Sequence, residues 1–460
     1  MRSSVLTFCL VTSFFCTAFA QAESLNAQQI RSGLSKNTFP YTLATLSTDK
    51  SNKDQYWYWL DLARLQQANG DFNLSIQSFE HAYAILDEYE NRATISLRNV
   101  GSFLGSSFLS KGSETYYGKG YERTLMHTLN ALNYLMIGDF EGSSVEMRRM
   151  EQRQEFWLKE SEEKIKEASE EKLKAQRQGN DTSYIPQGYS MAAMLEDGDV
   201  RSMANNYQDP FSYTLSSIIL DISGQSAASG NAGEISLKRA LSLNPDVSKA
   251  FLKLPQNKLP SQKSDKGTPS LAKMDITVIV LSGEAPSLKI EKVRFPIFHG
   301  AEYTSIDLPA YNPPLNDVTL VNITTDRLRM QPPRLLKSNV MAYKTLKDEL
   351  PGELAKSVVR ATTKAVAAKQ ASDHFGILGG FVASLAMDAG SSFADSGHRN
   401  WEVLPNSGYI AKLEAYKGET LTITLNGQEE SFSLPSDKKG AVVLVSYLTP
   451  DNIRIDYVTY

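Results

Sequence analysis

Acid–base or metal chemistry would first be sought at the five histidines, His81, His127, His299, His374 and His398, none of which stands three or four positions from another. The H-E-x-x-H spacing that puts two imidazoles on one helix face around zinc is therefore missing. Gly188-Tyr189-Ser190-Met191-Ala192 has the outline of a nucleophile elbow. That device needs a strand before the serine and a helix after it, whereas here a charged helix and a polar loop precede it. Gly112 to Gly120 (G-S-E-T-Y-Y-G-K-G) sets a lysine after a glycine as phosphate loops do. It misses the spacing by one and offers no Ser or Thr after Lys119 to hold a metal ion, so it reads as a Tyr-rich structural loop. Paired carboxylates for glycoside chemistry are set by geometry in space, and nothing in the C-terminal half singles out a pair. The chain is read as non-enzymatic, with no cofactor and no metal.

A different polar constellation remains. Tyr121, Glu122 and Arg123 stand at the entry of one helix, and Glu146, Arg148 and Arg149 lie on the next. Side chains so placed form a polar lock buried between the two helices. Trp401 beside Arg399 reads either as a stacked anchor of the fold or as an exposed binding contact.

The elements that carry these residues follow from periodicity. From Gln55 to Asp87 the sequence reads as an antiparallel helix pair: Trp59, Leu62 and Ala63 recur at helical spacing, Gly70-Asp71 breaks the pattern, and Phe72, Ser75, Phe79 and Ala82 resume it. This is the tetratricopeptide layout, with Ala63 for the usual Gly and Gln66 for the usual Tyr. A second unit, Leu125 to Met150, carries Ala131, Tyr134, Gly138-Asp139-Phe140, Ser143, Met147 and Met150. Gly138 follows Gly70 by twice the usual period of about 34 residues. A third unit runs from Tyr213 and Leu220 through Gly224 to Leu237, Ala240 and the stop at Asn244-Pro245, with a longer loop around Ser226 to Gly230. Three such units are enough to bury a shared core. Between the second and third, Val145 to Gln178 is dominated by charge, with Glu155/Lys159, Glu160/Lys164, Glu162/Lys166 and Glu170/Lys174 at helical i,i+4 spacing. This is the pattern of a long solvated helix protruding from the stack.

Residues 255–273 hold three prolines and little apolar content, which marks a linker. The period then changes to two. Ile276 to Val280, Leu288 to Phe295, Val318 to Ile323, Tyr409 to Tyr416, Thr420 to Leu425, Ala441 to Leu448 and Ile453 to Val458 read as short strands, with a hairpin turn at Asn426-Gly427. A helical insertion is expected over about 339–396, where Leu346, Leu350, Leu354, Val358 and Val366 share a face. The expected fold is α+β and multidomain: tetratricopeptide-like helical repeats over 24–254, a linker over 255–273, and an antiparallel, sandwich-like β-rich domain over 274–460.

At its start the chain shows Arg2, an apolar stretch from Val5 to Phe19, and small residues at Ala18 and Ala20. That is the layout of a secretory signal peptide over 1–20. The two cysteines, Cys9 and Cys16, both lie within it, so the mature part has no disulfide or thiolate metal site. A lipidated Cys16 needs a small residue before it, and Phe15 is bulky. The formal charge of −4 leaves no electrostatic footprint for nucleic acid. The apolar run from Phe375 to Ala389 falls short of the roughly 20 residues of a membrane span.

The stretch Tyr117-x-x-Gly120-Tyr121-Glu122-Arg123, followed by Leu125, His127, Ala131-Leu132-Asn133-Tyr134-Leu135, Gly138-Asp139 and Val145-Glu146-x-Arg148-Arg149, resembles the signature of an uncharacterised family of bacterial exported envelope proteins with tetratricopeptide-like repeats and a C-terminal β-rich domain. Asp395, Arg399, Trp401 and Leu404-Pro405 resemble that family's second signature. The resemblance implies an envelope-assembly role, with envelope proteins, outer-membrane lipoproteins among them, as partners. Many members look like lipoproteins, from which this leader departs. The expected function is a periplasmic adaptor or scaffold, outer-membrane associated, whose stacked helix pairs offer a groove to another polypeptide. Its rivals are a protein that binds or acts on cell-wall glycan through the β-rich half, and a structural subunit of a large envelope machine.

Overall fold

The computed structural model describes residues 25–49, 51–53, 55–99, 116–180, 182, 185–224, 231–251, 273–297, 302–362, 400–435 and 437–460. The expected leader, the linker from 255 to 272, residues 112–115 of the Gly-rich stretch, Ser226 to Gly230, and the second signature's Asp395 and Arg399 lie outside them, as does the apolar run from Phe375 to Ala389.

The N-terminal part is helical: α1 (Ala27–Ser32), α2 (Phe39–Thr48), α3 (Tyr56–Asn69), α4 (Phe72–Asn99), α5 (Gly120–Met136), α6 (Phe140–Arg177), the short α7 (Ala192–Leu195) and α8 (Gly198–Ser202), α9 (Pro210–Ile222) and α10 (Ala232–Leu243). Two of its pairs are built alike. Gly70 ends α3 with φ 81° and Gly138 follows α5 with φ 80°, the left-handed conformation that a side chain disfavours. Ser75 Oγ then donates to the Ala63 carbonyl at 2.6 Å, and Ser143 Oγ donates to the Ala131 carbonyl at 2.8 Å. The same serine at the same place in the second helix thus staples each pair. In the third pair, α9 and α10, the hydroxyls of Ser216 and Ser236 lie 3.2 Å apart and both reach Glu151.

The C-terminal part is rich in sheet, and its strands are β1 (Lys273–Ser282), β2 (Leu288–Ile297), β3 (Glu302–Tyr311), β4 (Val321–Thr324), β5 (Arg329–Met330), β6 (Arg334–Lys337), β7 (Ser407–Tyr416), β8 (Thr420–Leu425), β9 (Gln428–Ser433), β10 (Gly440–Thr449) and β11 (Asn452–Thr459). They form a five-stranded sheet in the order β11-β10-β1-β7-β6, a β2-β3 pair, and a four-stranded sheet in the order β5-β4-β8-β9. Among these described strands every pairing is antiparallel except β1 with β10, which run parallel from Asp275↔Gly440 to Ser282↔Tyr447. Asn426 and Gly427 both have positive φ, 47° and 92°, and close the β8–β9 hairpin as the sequence leads one to expect.

Strand alternation divides the five-stranded sheet between two interiors. Ile276, Val278, Val280, Val443 and Val445 point to one face and pack with Ile323, Leu421 and Ile423 of the four-stranded sheet. Ile279, Leu281, Val442 and Leu444 point to the other and join the helical core with Phe79, Leu132 and Phe211. Helices α3, α5 and α9, the first of each pair, are buried along nearly their whole length and lie on this face. Arg64 of α3 reaches Ser446 of β10 at 3.4 Å, and Gly408 of β7 leaves room for the Phe211 ring. The inner side of the helix stack is therefore filled by the chain's own sheet. Leu237 and Phe79 share that interior and Trp59 packs on it, whereas Tyr134 is half-buried beside Glu80.

The charged α6 does not stand free. Trp157, Ala168 and Ala175 along it are buried, and a helix over residues 338–362, α11, covers one flank. At the crossing, a Cβ on Gly352 would come within 2.7 Å of the Ala168 backbone. Only part of the helix surface is solvated: small and aromatic residues hidden among the charges supply the buried stripe. Residues 363–396 of the expected helical insertion lie outside the described residues.

Candidate functional site

Residues of the first sequence signature collect where α4, α5, α6 and α11 meet. Glu122, in the first turn of α5, is fully buried. It accepts from the Lys119 backbone N–H at 2.6 Å, from the Tyr116 hydroxyl, and from the Trp401 backbone N–H at 3.1 Å. Burial pushes the Glu122 carboxyl up, against these three donors. Gly120 is required here because a Cβ would meet that of Tyr207 at 2.8 Å. Tyr311 of β3 lies beside Tyr121, and burial pushes both hydroxyls up. Lys119 pairs with Glu349 of α11 at 2.8 Å.

Arg123 forms a buried pair with Glu160 of α6, which also takes Lys164 at 3.0 Å. Its Nε donates to the Tyr117 carbonyl at 3.0 Å, and its guanidinium lies 5.6 Å from the centre of the Tyr89 ring, which stacks on Tyr117. Burial by itself raises the Glu160 carboxyl; the Arg123 and Lys164 charges outweigh it and hold the pKa at about 2. Further along the same helices, His127 Nδ1 meets Glu146 at 2.8 Å, Glu146 also takes Arg149 at 2.7 Å, and Arg149 and the Tyr134 hydroxyl both approach Glu80 of α4. Arg153 binds Asp87 and Glu90 of α4, and Trp157 donates to Glu90 at 3.0 Å. Arg148 is half-buried.

Tyr117, Gly120, Tyr121, Glu122, Arg123, His127, Tyr134, Glu146 and Arg149 thus come together as a polar lock between helices, largely hidden from solvent. Trp401 is 0 % exposed and its ring meets Phe79 edge to face at 5.9 Å, so it is an anchor of the core and no surface contact. Sequence reasoning missed the partners supplied from afar, Glu349 and Tyr311, and read Glu160 and Lys164 only as a solvated pair. Trp157, just before Glu160, was the available sign that this stretch has a buried side. Ser190, in the outline of a nucleophile elbow, has its hydroxyl and backbone N–H held by Glu291.

A second arrangement lies at the other end of the stack. Glu151, Gln154, Gln208, Tyr213, Arg239, Ser242 and Leu243 line a cleft of about 330 Å³ between α6, α9 and α10. Gln208 Nε2 donates to the Tyr213 hydroxyl at 3.3 Å, and the Arg239 guanidinium lies 5.8 Å from the centre of the Tyr213 ring and 3.9 Å from Glu151. Among the described residues no group of three or more His, Cys, Asp or Glu is placed to hold a metal ion, and no helix is long and apolar enough to cross a membrane. No protein-family model matches the chain, and neither a curated protein nor a solved structure is significantly similar to it.

Proposed function

We propose that this chain is a non-catalytic protein-binding scaffold of the bacterial cell envelope, built on tetratricopeptide-like helix pairs and working in the periplasm at the outer membrane. The repeated staple, Ser75 to Ala63 and Ser143 to Ala131 behind a left-handed glycine, supports the repeat reading. The leader and the family signature in the sequence support the compartment. Because the inner helices α3, α5 and α9 are committed to the sheet, the partner binds on the outer side of the stack. The observation that carries the reading is the contrast there between a rigid, ion-paired body and a polar cleft left open at α6, α9 and α10.

The test is retention of the mature chain from envelope extract by immobilised envelope proteins against retention by purified peptidoglycan. A scaffold is retained by proteins, outer-membrane lipoproteins foremost. Retention by glycan alone overturns the proposal in favour of a glycan-binding protein, and self-assembly into rings or filaments on size analysis favours a structural subunit.

A further inference from the structure

We infer that the cleft between α6, α9 and α10 is a subsite for a peptide amide group, the carboxamide side chain or backbone amide of a short extended segment. The inference deepens the scaffold reading and rests on it for the biological partner. Its physical basis is separate.

The first observation is an unmet hydrogen-bond valence. Gln154 is 8 % exposed, and among the described residues its Nε2 reaches only Met150, at 3.5 Å from both the carbonyl and the sulfur. Its Oε1 has no donor among the described residues. Buried polar side chains are nearly always satisfied, and an exception marks a place where something else supplies the partner. The terminal torsion of a carboxamide is soft, so a small rotation presents Oε1 to the cleft that Gln154 lines.

The second observation is the set of donors opposite. The Tyr213 hydroxyl accepts from Gln208 and so has its own proton to give, and the half-exposed Arg239, which lies over the Tyr213 ring and makes a long contact to Glu151, has five N–H donors to share. One wall therefore accepts and the other donates. A peptide amide, with N–H and C=O side by side, answers both at once; a carboxylate would leave Gln154 unanswered and face Glu151, and an ammonium would face Arg239.

Acetamido sugars carry the same amide. Sugars are usually held against an open aromatic face, and the face of Tyr213, the one ring in the lining, is covered by Arg239. A volume of about 330 Å³ is at the low end for ligand clefts and suits a short peptide segment.

The probe is the blocked peptide acetyl-Ala-Gln-Ala-amide, followed by saturation-transfer NMR on the full mature chain, with N-acetylglucosamine as the second arm. Transfer to the peptide is expected, falling at least several-fold in Gln154→Leu and in Arg239→Ala and unchanged in Lys238→Ala, whose side chain pairs with Glu234 one turn away. Gln154→Leu replaces an unsatisfied amide by an apolar group of similar size and keeps the fold, which thermal melting checks. Equal transfer in wild type and Gln154→Leu, or transfer to the sugar and none to the peptide, overturns the inference. If the wild type and Gln154→Leu capture the same envelope proteins, the cleft assignment fails and the scaffold reading stands. If the wild type captures none while the peptide binds as described, the scaffold reading fails and the subsite stands.

Discussion

At Glu160, midway along α6, each charge is answered: Arg123 and Lys164 bind the carboxylate, and Arg123 spends its remaining donors on a backbone carbonyl and an aromatic face. At Gln154, earlier on the same helix, an equally hidden amide lacks a donor among the described residues, and the neighbouring Arg239 is half-exposed, 5.8 Å from the centre of the Tyr213 ring and 3.9 Å from Glu151. Both regions draw on polar residues at helix–helix contacts. The difference teaches that hydrogen-bond saturation, more than residue type, separates groups that hold helices together from groups kept for a ligand.

The largest effects belong to the saturated end. Arg123→Met or Glu160→Gln leaves a buried partner uncompensated and is expected to cost about 3–5 kcal/mol in urea unfolding at pH 7. The double change Arg123→Met/Glu160→Leu is expected to recover much of that loss, and a single change costing under about 1 kcal/mol would erase the difference between the two regions. Because the Glu160 pKa is lowered to about 2 from its ordinary 4.5, its stabilisation is complete above that ordinary value. It disappears as pH falls toward about 2, so the melting temperatures of wild type and Glu160→Gln are expected to converge in acid.

Asp209 works in the opposite sense. It caps α9 through the Ser212 N–H and hydroxyl, and burial pushes its pKa up to about 6 from 3.8. The native state holds the proton longer, so stability present below the ordinary value is lost as pH rises through about 6, by about 2–3 kcal/mol. Asp209→Asn, which keeps a capping acceptor, is expected to flatten the melting temperature across that window. Flat wild-type behaviour there would contradict it.

Smaller is the effect of the two staples. Ser143→Ala is expected to cost about 1 kcal/mol, the worth of one buried hydrogen bond, and Ser75→Ala about 2 kcal/mol, because Ser75 Oγ also accepts from Asn133 Nδ2 at 2.7 Å; equal costs in urea unfolding would contradict that second bond. Smallest is Gln154→Leu, expected to stay within about 0.5 kcal/mol of wild type, since no formed bond of good geometry is lost. A loss as large as that at Glu160 would move the cleft into the class of structural networks.

The parts legible in the sequence are those set by local rules. Gly70-Asp71-Phe72 and Gly138-Asp139-Phe140 announce the turns of two helix pairs, and Asn426-Gly427 announces its hairpin, because φ preference is a property of the residue itself. The alternation Ile306, Leu308, Ala310 in β3 was there to be read, but Pro309 argues against a strand; it is tolerated because β3 pairs on one side only, with β2. β9, Gln428 to Ser433, is almost wholly exposed and carries no apolar period. The lock was legible as a set of residues on two adjacent helices and illegible as a site, since Glu349, Tyr311 and Trp401 arrive from far along the chain. The cleft left no mark at all: Gln154 and Arg239 look like any surface residues until packing buries one and lays the other half-exposed over Tyr213.

The parallel pairing of β1 with β10 bears on the order of assembly. A ribosome releases α3, α5 and α9 first, and the strand that completes the middle of their supporting sheet is among the last segments made. Closing a contact of such long sequence separation is slow. Until then, the greasy sides of three finished helices wait uncovered, and the nascent chain must meet a chaperone or remain extended until its tail is delivered.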